Sequence, residues 1–194
     1  TDMKGTSKQN GNPNGHLVRL KEGASVSSFS WDVYLFGAEA GADKSLVNIS
    51  ALTADQDFSS PDGLVFSKAT GICWIQTDDG AYTDATNCMM LAGVPGKVGD
   101  GAKTTLNYTK TDGSTVAIDT YVGKAPVADA LRRFLVGPVD CEVTGCAETP
   151  DGKTLPLPSI MEHREGSTQA IQQRAKVQRD SINYFPPMAS RACA

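Results

Sequence analysis

The acidic residues of one loop-rich stretch are the first candidates for chemistry. Asp55-Gln56-Asp57 is followed closely by Asp62, which lies in FSSPDGLVFSKATGICWIQTDDG, Phe58 to Gly80. Hard cations such as calcium take about six to eight oxygen ligands at roughly 2.3–2.6 Å, and acidic loops at strand ends are natural sources of them. The bland alternative for Asp55 and Asp57 is a pair of solvated turn acids. Thr77-Asp78-Asp79-Gly80 ends an apolar run containing Trp74. Asp-Gly there is first of all a turn signal, and a metal role would need a carboxylate from elsewhere. Glu142 stands with Cys141, Val143 and Cys146 in a stretch bounded by Gly137-Pro138 and Gly145. A carboxylate drawn inward with such neighbours is expensive unless a cation or several donors meet it, so Glu142 is the strongest single candidate.

Other site classes are thinly represented. The two histidines, His16 and His163, form no H-E-x-x-H, and neither a G-x-S-x-G elbow nor a P-loop occurs. His163 reads as a loop residue that could instead face a site. Arg132-Arg133 offers charge for a phosphate or simply opens a strand. Five cysteines, Cys73, Cys88, Cys141, Cys146 and Cys193, follow no C-x-x-C zinc pattern, and their odd number prevents complete pairing within the chain. Two sequons, at Asn48-Ile49-Ser50 and Asn107-Tyr108-Thr109, are compatible with secretion.

The elements that would position these residues read as short strands. HLVRL (His16 to Leu20) and FSWDVYLFG (Phe29 to Gly37) alternate as neighbouring strands of one sheet, and Leu46 to Ala54 fits either a strand or a helical turn. Gly63 to Phe66, Gly71 to Thr77, MMLA (Met89 to Ala92) and RFLV (Arg133 to Val136) read as four strands of a second unit. Gly96 to Ala130 is a long Gly/Thr/Lys-rich insertion, expected to hold a hairpin at Leu106 to Tyr108 and Thr115 to Ile118 around Thr111-Asp112-Gly113. Pro-Asp-Gly occurs at 61–63 and again at 150–152, about two propeller blades of ~40–45 residues apart, though as a common type I turn it needs no repeat to explain it.

The chain has 194 residues, 40% apolar and 21% charged, with 19 glycines and 10 prolines punctuating it at short intervals. That composition predicts an all-β globular fold with many turns. A net charge of −4 argues against nucleic acid, which attracts a basic stripe. No apolar run approaches the roughly eighteen residues of a membrane span, and the polar, Gly/Asn-rich start is unlike a signal segment. Residues 166–194 are expected to be an irregular or partly helical tail leading to a missing final strand.

Taken in order, HLVRLKE, FSWDVYLFG, FSSPDGLVFSKATGICWIQTDDG, NCMMLA and RRFLVGPVDCEVTGCAETPDGKTL resemble the C-terminal portion of a PhoX-type alkaline phosphatase. The resemblance covers roughly Asn12 to Glu165, and its most specific parts are SPDGLVF with WIQTD and FLVGPVDCEVTG with TPDGKTL. It implies two to three blades of a β-propeller over 1–165, with the insertion near 96–130, completed by the remainder of the same propeller. It implies a secreted enzyme, extracellular or periplasmic, that hydrolyses phosphomonoesters with calcium and iron. Asp62 and Glu142 sit where the family's carboxylate metal ligands are expected, while no catalytic nucleophile is assigned. The sequence departs from the family at LPLPSIMEHREGS, where Pro156 and Pro158 suit an edge or distorted strand. A non-catalytic extracellular propeller module and a calcium-dependent lactonase or esterase propeller are the alternatives.

Overall fold

The computed structural model describes residues 14–78, 87–109, 112–138, 141–155 and 159–162. The strands, in chain order, are β1 (His16–Glu22), β2 (Phe29–Phe36), β3 (Pro61–Phe66), β4 (Cys73–Thr77), β5 (Met89–Gly93), β6 (Ala102–Thr109), β7 (Thr115–Val122), β8 (Leu131–Val136), β9 (Cys141–Thr144) and β10 (Ser159–Glu162). No helix occurs among the described residues, so the all-β class holds. The expected tail, 166–194, and the sequence from Asp79 to Thr86 lie outside the described residues, as does His163.

β3, β4, β5 and β8 form an antiparallel meander in that order. Its two middle strands are buried on both faces, which explains why ICWI and CMMLA read as continuous apolar runs. On one face Cys73, Ile75, Met89, Leu91 and Leu131 join Leu17, Tyr34 and Leu35 of the first hairpin, with Leu52 and Phe58 from the loop between. On the other, Trp74, Met90 and Ala92 meet Val143 of β9, with Ile72 and Cys88. The period of two along β4 and β5 therefore serves two cores, one per face. β9 pairs antiparallel with β10 to form a separate two-stranded sheet.

The remaining sheet runs β1-β2-β7-β6. β6 and β7 are the hairpin expected inside the insertion, in unbroken register from Ala102↔Val122 to Thr109↔Thr115. The hairpin joins the first two strands through a single parallel pair, Val33↔Val122, backed by Gly123 N–H donating to the Val33 carbonyl at 2.7 Å. This order is not the simple meander of a blade, and a closed propeller is not defined by these three sheets alone.

Burial in the first hairpin is inverted with respect to polarity. Val18, Leu20, Phe29 and Trp31 share one face through the pairs Val18↔Val33 and Leu20↔Trp31, yet Leu20 is 66% and Trp31 47% exposed. The opposite face carries Arg19 and Asp32, and Asp32 is fully buried. Among the described residues no helix is long and apolar enough to cross a membrane.

Candidate functional site

Asp62 lies in β3, an edge strand, and its side chain is exposed. The Pro-Asp-Gly sequence at 61–63 is not a turn as its composition suggests. Pro61 already pairs with Thr77, and the chain turns one residue earlier, at Ser60, whose φ is 50°. Proline lacks an N–H to donate and is tolerated at the start of an edge strand. The register then jumps from Pro61↔Thr77 to Leu64↔Ile75, so Asp62 and Gly63 both face Gln76 across a bulge. The second Pro-Asp-Gly is a true turn, with Gly152 at φ 64° and the Asp151 carboxylate accepting from Thr149 Oγ1 and Lys153 N. The two copies have different conformations and mark no structural repeat.

Glu142 lies on β9 opposite Met161 and is half-buried, while its neighbour Val143 is packed into the second core. The segment that follows is tied to the β3–β4 hairpin at two points. Gln76 Nε2 donates to the Gly145 carbonyl at 2.7 Å. Further on, Glu148 accepts from Ser67 Oγ at 2.6 Å and from Lys68 N at 3.0 Å. Gln76 lies inside the WIQTD motif without being singled out by it, and Glu148 is marked out by neither motif nor periodicity. Their partners lie 69 and about 80 residues away, beyond the reach of any local pattern.

The other acids are engaged in holding loops. Asp57 forms an ion pair with Arg133 Nη2 and accepts from Ala40 N, and the Asp55 carbonyl accepts from Arg133 N. Arg132 is paired with Asp129 and donates to the Ala128 carbonyl. A cavity of about 510 Å³ runs beside β8, lined by Thr53, Asp55, Gln56 and residues of Leu131–Val136. Its two arginines each have a carboxylate partner, so it does not present the bare positive charge that a phosphate seeks. The sequon at Asn48 is likewise closed: Asn48 is fully buried, its Nδ2 donating to the Ala40 and Leu52 carbonyls, whereas Asn107 is exposed on β6.

The most heavily charged assembly has no signal in the local sequence. Arg19 donates to Asp32 and, on its other edge, to Asp100 at 2.7 Å; its guanidinium lies over the Tyr34 ring. Asp100 also accepts from Lys124 N, and its hydrogen bonds from Arg19 hold its carboxyl down at about 2. The Tyr34 hydroxyl is buried without a hydrogen-bond partner among the described residues, and burial pushes the phenol well above its usual range. Burial likewise pushes the Cys73 thiol up to about 11, which makes it an inert core residue.

Carboxylates are the right donors for calcium, but two are too few to hold it. Among the described residues no group of three or more His, Cys, Asp and Glu could hold a metal. Asp62 and Glu142 therefore fit a calcium centre in kind, as contributors to a set that needs further oxygens, and the described residues assemble no donor set for iron.

These features define an all-β protein of packed sheets, antiparallel but for one β2–β7 bridge, with one exposed carboxylate on β3 and one half-buried carboxylate on β9. A family model described as alkaline phosphatase PhoX matches residues 2–158, and the chain belongs to that family. No curated protein and no solved structure matches it.

Proposed function

We propose that this chain is the C-terminal part of a secreted phosphatase that hydrolyses phosphomonoesters with calcium and iron. The observation that carries the reading is the family match across residues 2–158, which includes both candidate carboxylates. Asp62 and Glu142 would each give oxygens to calcium, and iron enters the proposal through the family alone. Bound cations supply charge to the phosphate oxygens and stabilise the charge that develops in the transition state. This chain's own contribution is to hold the two carboxylates: Asp62 faces solvent on a bulged edge strand, and Glu142 is fixed by the anchoring of Val143 in the second core.

The propeller reading draws support from the sheets themselves. The middle sheet is covered on both faces, and the outer apolar face of the first hairpin has the residues of a covered one. The remainder of the same propeller is the proposed cover. A second reading, a propeller scaffold without catalysis, is favoured by the lack of a three-donor cluster among the described residues.

Hydrolysis of p-nitrophenyl phosphate by the full-length protein, before and after chelation, separates the two. Activity that is lost with chelator and returns with calcium and iron supports the enzyme. Turnover indifferent to chelation contradicts a metal-dependent phosphatase, and a folded protein without turnover at any metal loading supports the scaffold.

A further inference from the structure

The fold separates the two sequons of the chain. In Asn48-Ile49-Ser50 both polar side chains are enclosed, Asn48 at 0% and Ser50 at 1% exposure. Asn48 Oδ1 accepts from Leu52 N at 2.7 Å, and Nδ2, the atom a sugar would take, donates to the Ala40 and Leu52 carbonyls. Ser50 Oγ accepts from Phe36 N at 2.8 Å and so ties the same turns to β2. A glycan on Asn48 would break these buried hydrogen bonds and hold the turns open, so a chain carrying one could not close this part of the fold.

Asn107-Tyr108-Thr109 lies on β6, the outer strand of the β1-β2-β7-β6 sheet. Successive side chains on a strand point to opposite faces. Leu106 is packed with Val33, Phe36 and Val122, so Asn107 stands on the other face, where it is exposed. Opposite it on β7 is Ala117, also exposed, whose single methyl leaves the space above the acceptor amide open. The rest of that face is held by polar contacts at the surface: Lys103 Nζ pairs with Asp119 at 2.7 Å, and Thr105 Oγ1 donates to the same carboxylate at 2.7 Å. A bulky, hydrated group attached here displaces no packed side chain.

We propose that Asn107 is an N-glycosylation site of the secreted protein and that Asn48 is not. The inference rests on the secretion contained in the proposed function, because the transferase that reads Asn-X-Ser/Thr works on exported chains. In the transfer, Asn107 Nδ2 bonds to C1 of an oligosaccharide carried on a lipid diphosphate. The bond from C1 to the diphosphate oxygen breaks, the lipid diphosphate leaves, and the amide gives up one proton. A sugar at 107 also fixes the outer face of the β6–β7 hairpin as surface of the whole protein, so any covering by the rest of the propeller falls on other faces.

The test is mass mapping of the full-length protein secreted by eukaryotic cells behind the host's own export leader, so that the acceptor is tested apart from the native route of export. An amidase that releases N-linked sugar converts each glycosylated asparagine to aspartate, which peptide masses then locate. The expected result is conversion at 107 and none at 48. The sugar at 107 should be lost in Asn107→Gln and also in Thr109→Ala, which keeps the asparagine and serves if the first variant fails to fold. Secreted wild type with Asn107 unconverted overturns the site, and conversion at 48 overturns the assignment by burial. If the protein with its native N-terminus stays inside the cells without sugar while the leader-driven form carries it at 107, secretion is contradicted and the acceptor assignment stands.

Discussion

Arg19 and Asp32 form a two-pronged pair inside the first hairpin: Nε lies 2.8 Å from Oδ1 and Nη2 lies 2.6 Å from Oδ2. The Asp32 side chain is only 1% exposed and also accepts from Gly99 N, so the pair fastens the hairpin to the first loop of the insertion. Asp100, on the other edge of the guanidinium, accepts from Lys124 N and closes the insertion's second end. Removing one partner of a buried pair strands the other charge, at a cost of about 3–5 kcal/mol. Arg19→Met is expected to lose that much in urea unfolding, and a loss below ~1 kcal/mol would show that the network contributes little.

The same network predicts an acid limb. Arg19's hydrogen bonds depress the folded-state carboxyl of Asp100 to about 2, below its unfolded value of about 3.9. The stabilisation is therefore complete above the unfolded value and is lost as the pH falls through ~4 toward 2. Asp100 is part-exposed, so solvent screening keeps the effect modest. Thermal melts of the wild type should show a stability decrement in this window that Asp100→Asn lacks. Equal slopes in both proteins would contradict the assignment.

Asp57 is a structural acid. Its ion pair with Arg133 joins the 53–57 loop to β8 across 76 residues. Asp57→Asn is expected to cost about 1–3 kcal/mol in chemical denaturation, with calcium retention unchanged. Loss of calcium at unchanged stability would return Asp57 to the list of ligands.

On the proposed reading, the remainder of a propeller covers the outward apolar face of β1 and β2, which the 194-residue chain leaves exposed. Leu20→Ser should shift stability by no more than ~0.5 kcal/mol in the 194-residue chain, where Leu20 is 66% exposed. In the full-length protein the same change should cost about 1–3 kcal/mol, as it does where a leucine is covered. Equal effects in both would mean that nothing covers this face.

Most strands were legible because their signals are local. Alternation located β1 and β2, and a Thr-Asp-Gly turn, with Gly113 at φ 82°, located the β6–β7 hairpin. The continuous apolar runs of β4 and β5 were legible as strands, but the second core that makes them so was not. Leu46 to Ala54 resolved into neither alternative: it is a set of turns in which Asn48 hydrogen-bonds to Leu52 through both ends of its amide. Pro61-Asp62-Gly63 misled because turn composition can also serve the start of a bulged edge strand. The ties that organise the molecule, Arg19 to Asp100 and Gln76 to Gly145, join residues 81 and 69 positions apart, and no periodicity encodes such a meeting.

The proposed role of Asp62 and Glu142 is to hold calcium needed for phosphomonoester hydrolysis. Its most direct test measures bound calcium and p-nitrophenyl phosphate turnover side by side in the full-length wild type, Asp62→Asn and Glu142→Gln. Each variant is expected to stay folded, lose calcium and fall in turnover on the order of 100-fold or more, by analogy with the penalties seen around metal centres. Full calcium content and undiminished turnover in both variants would contradict it.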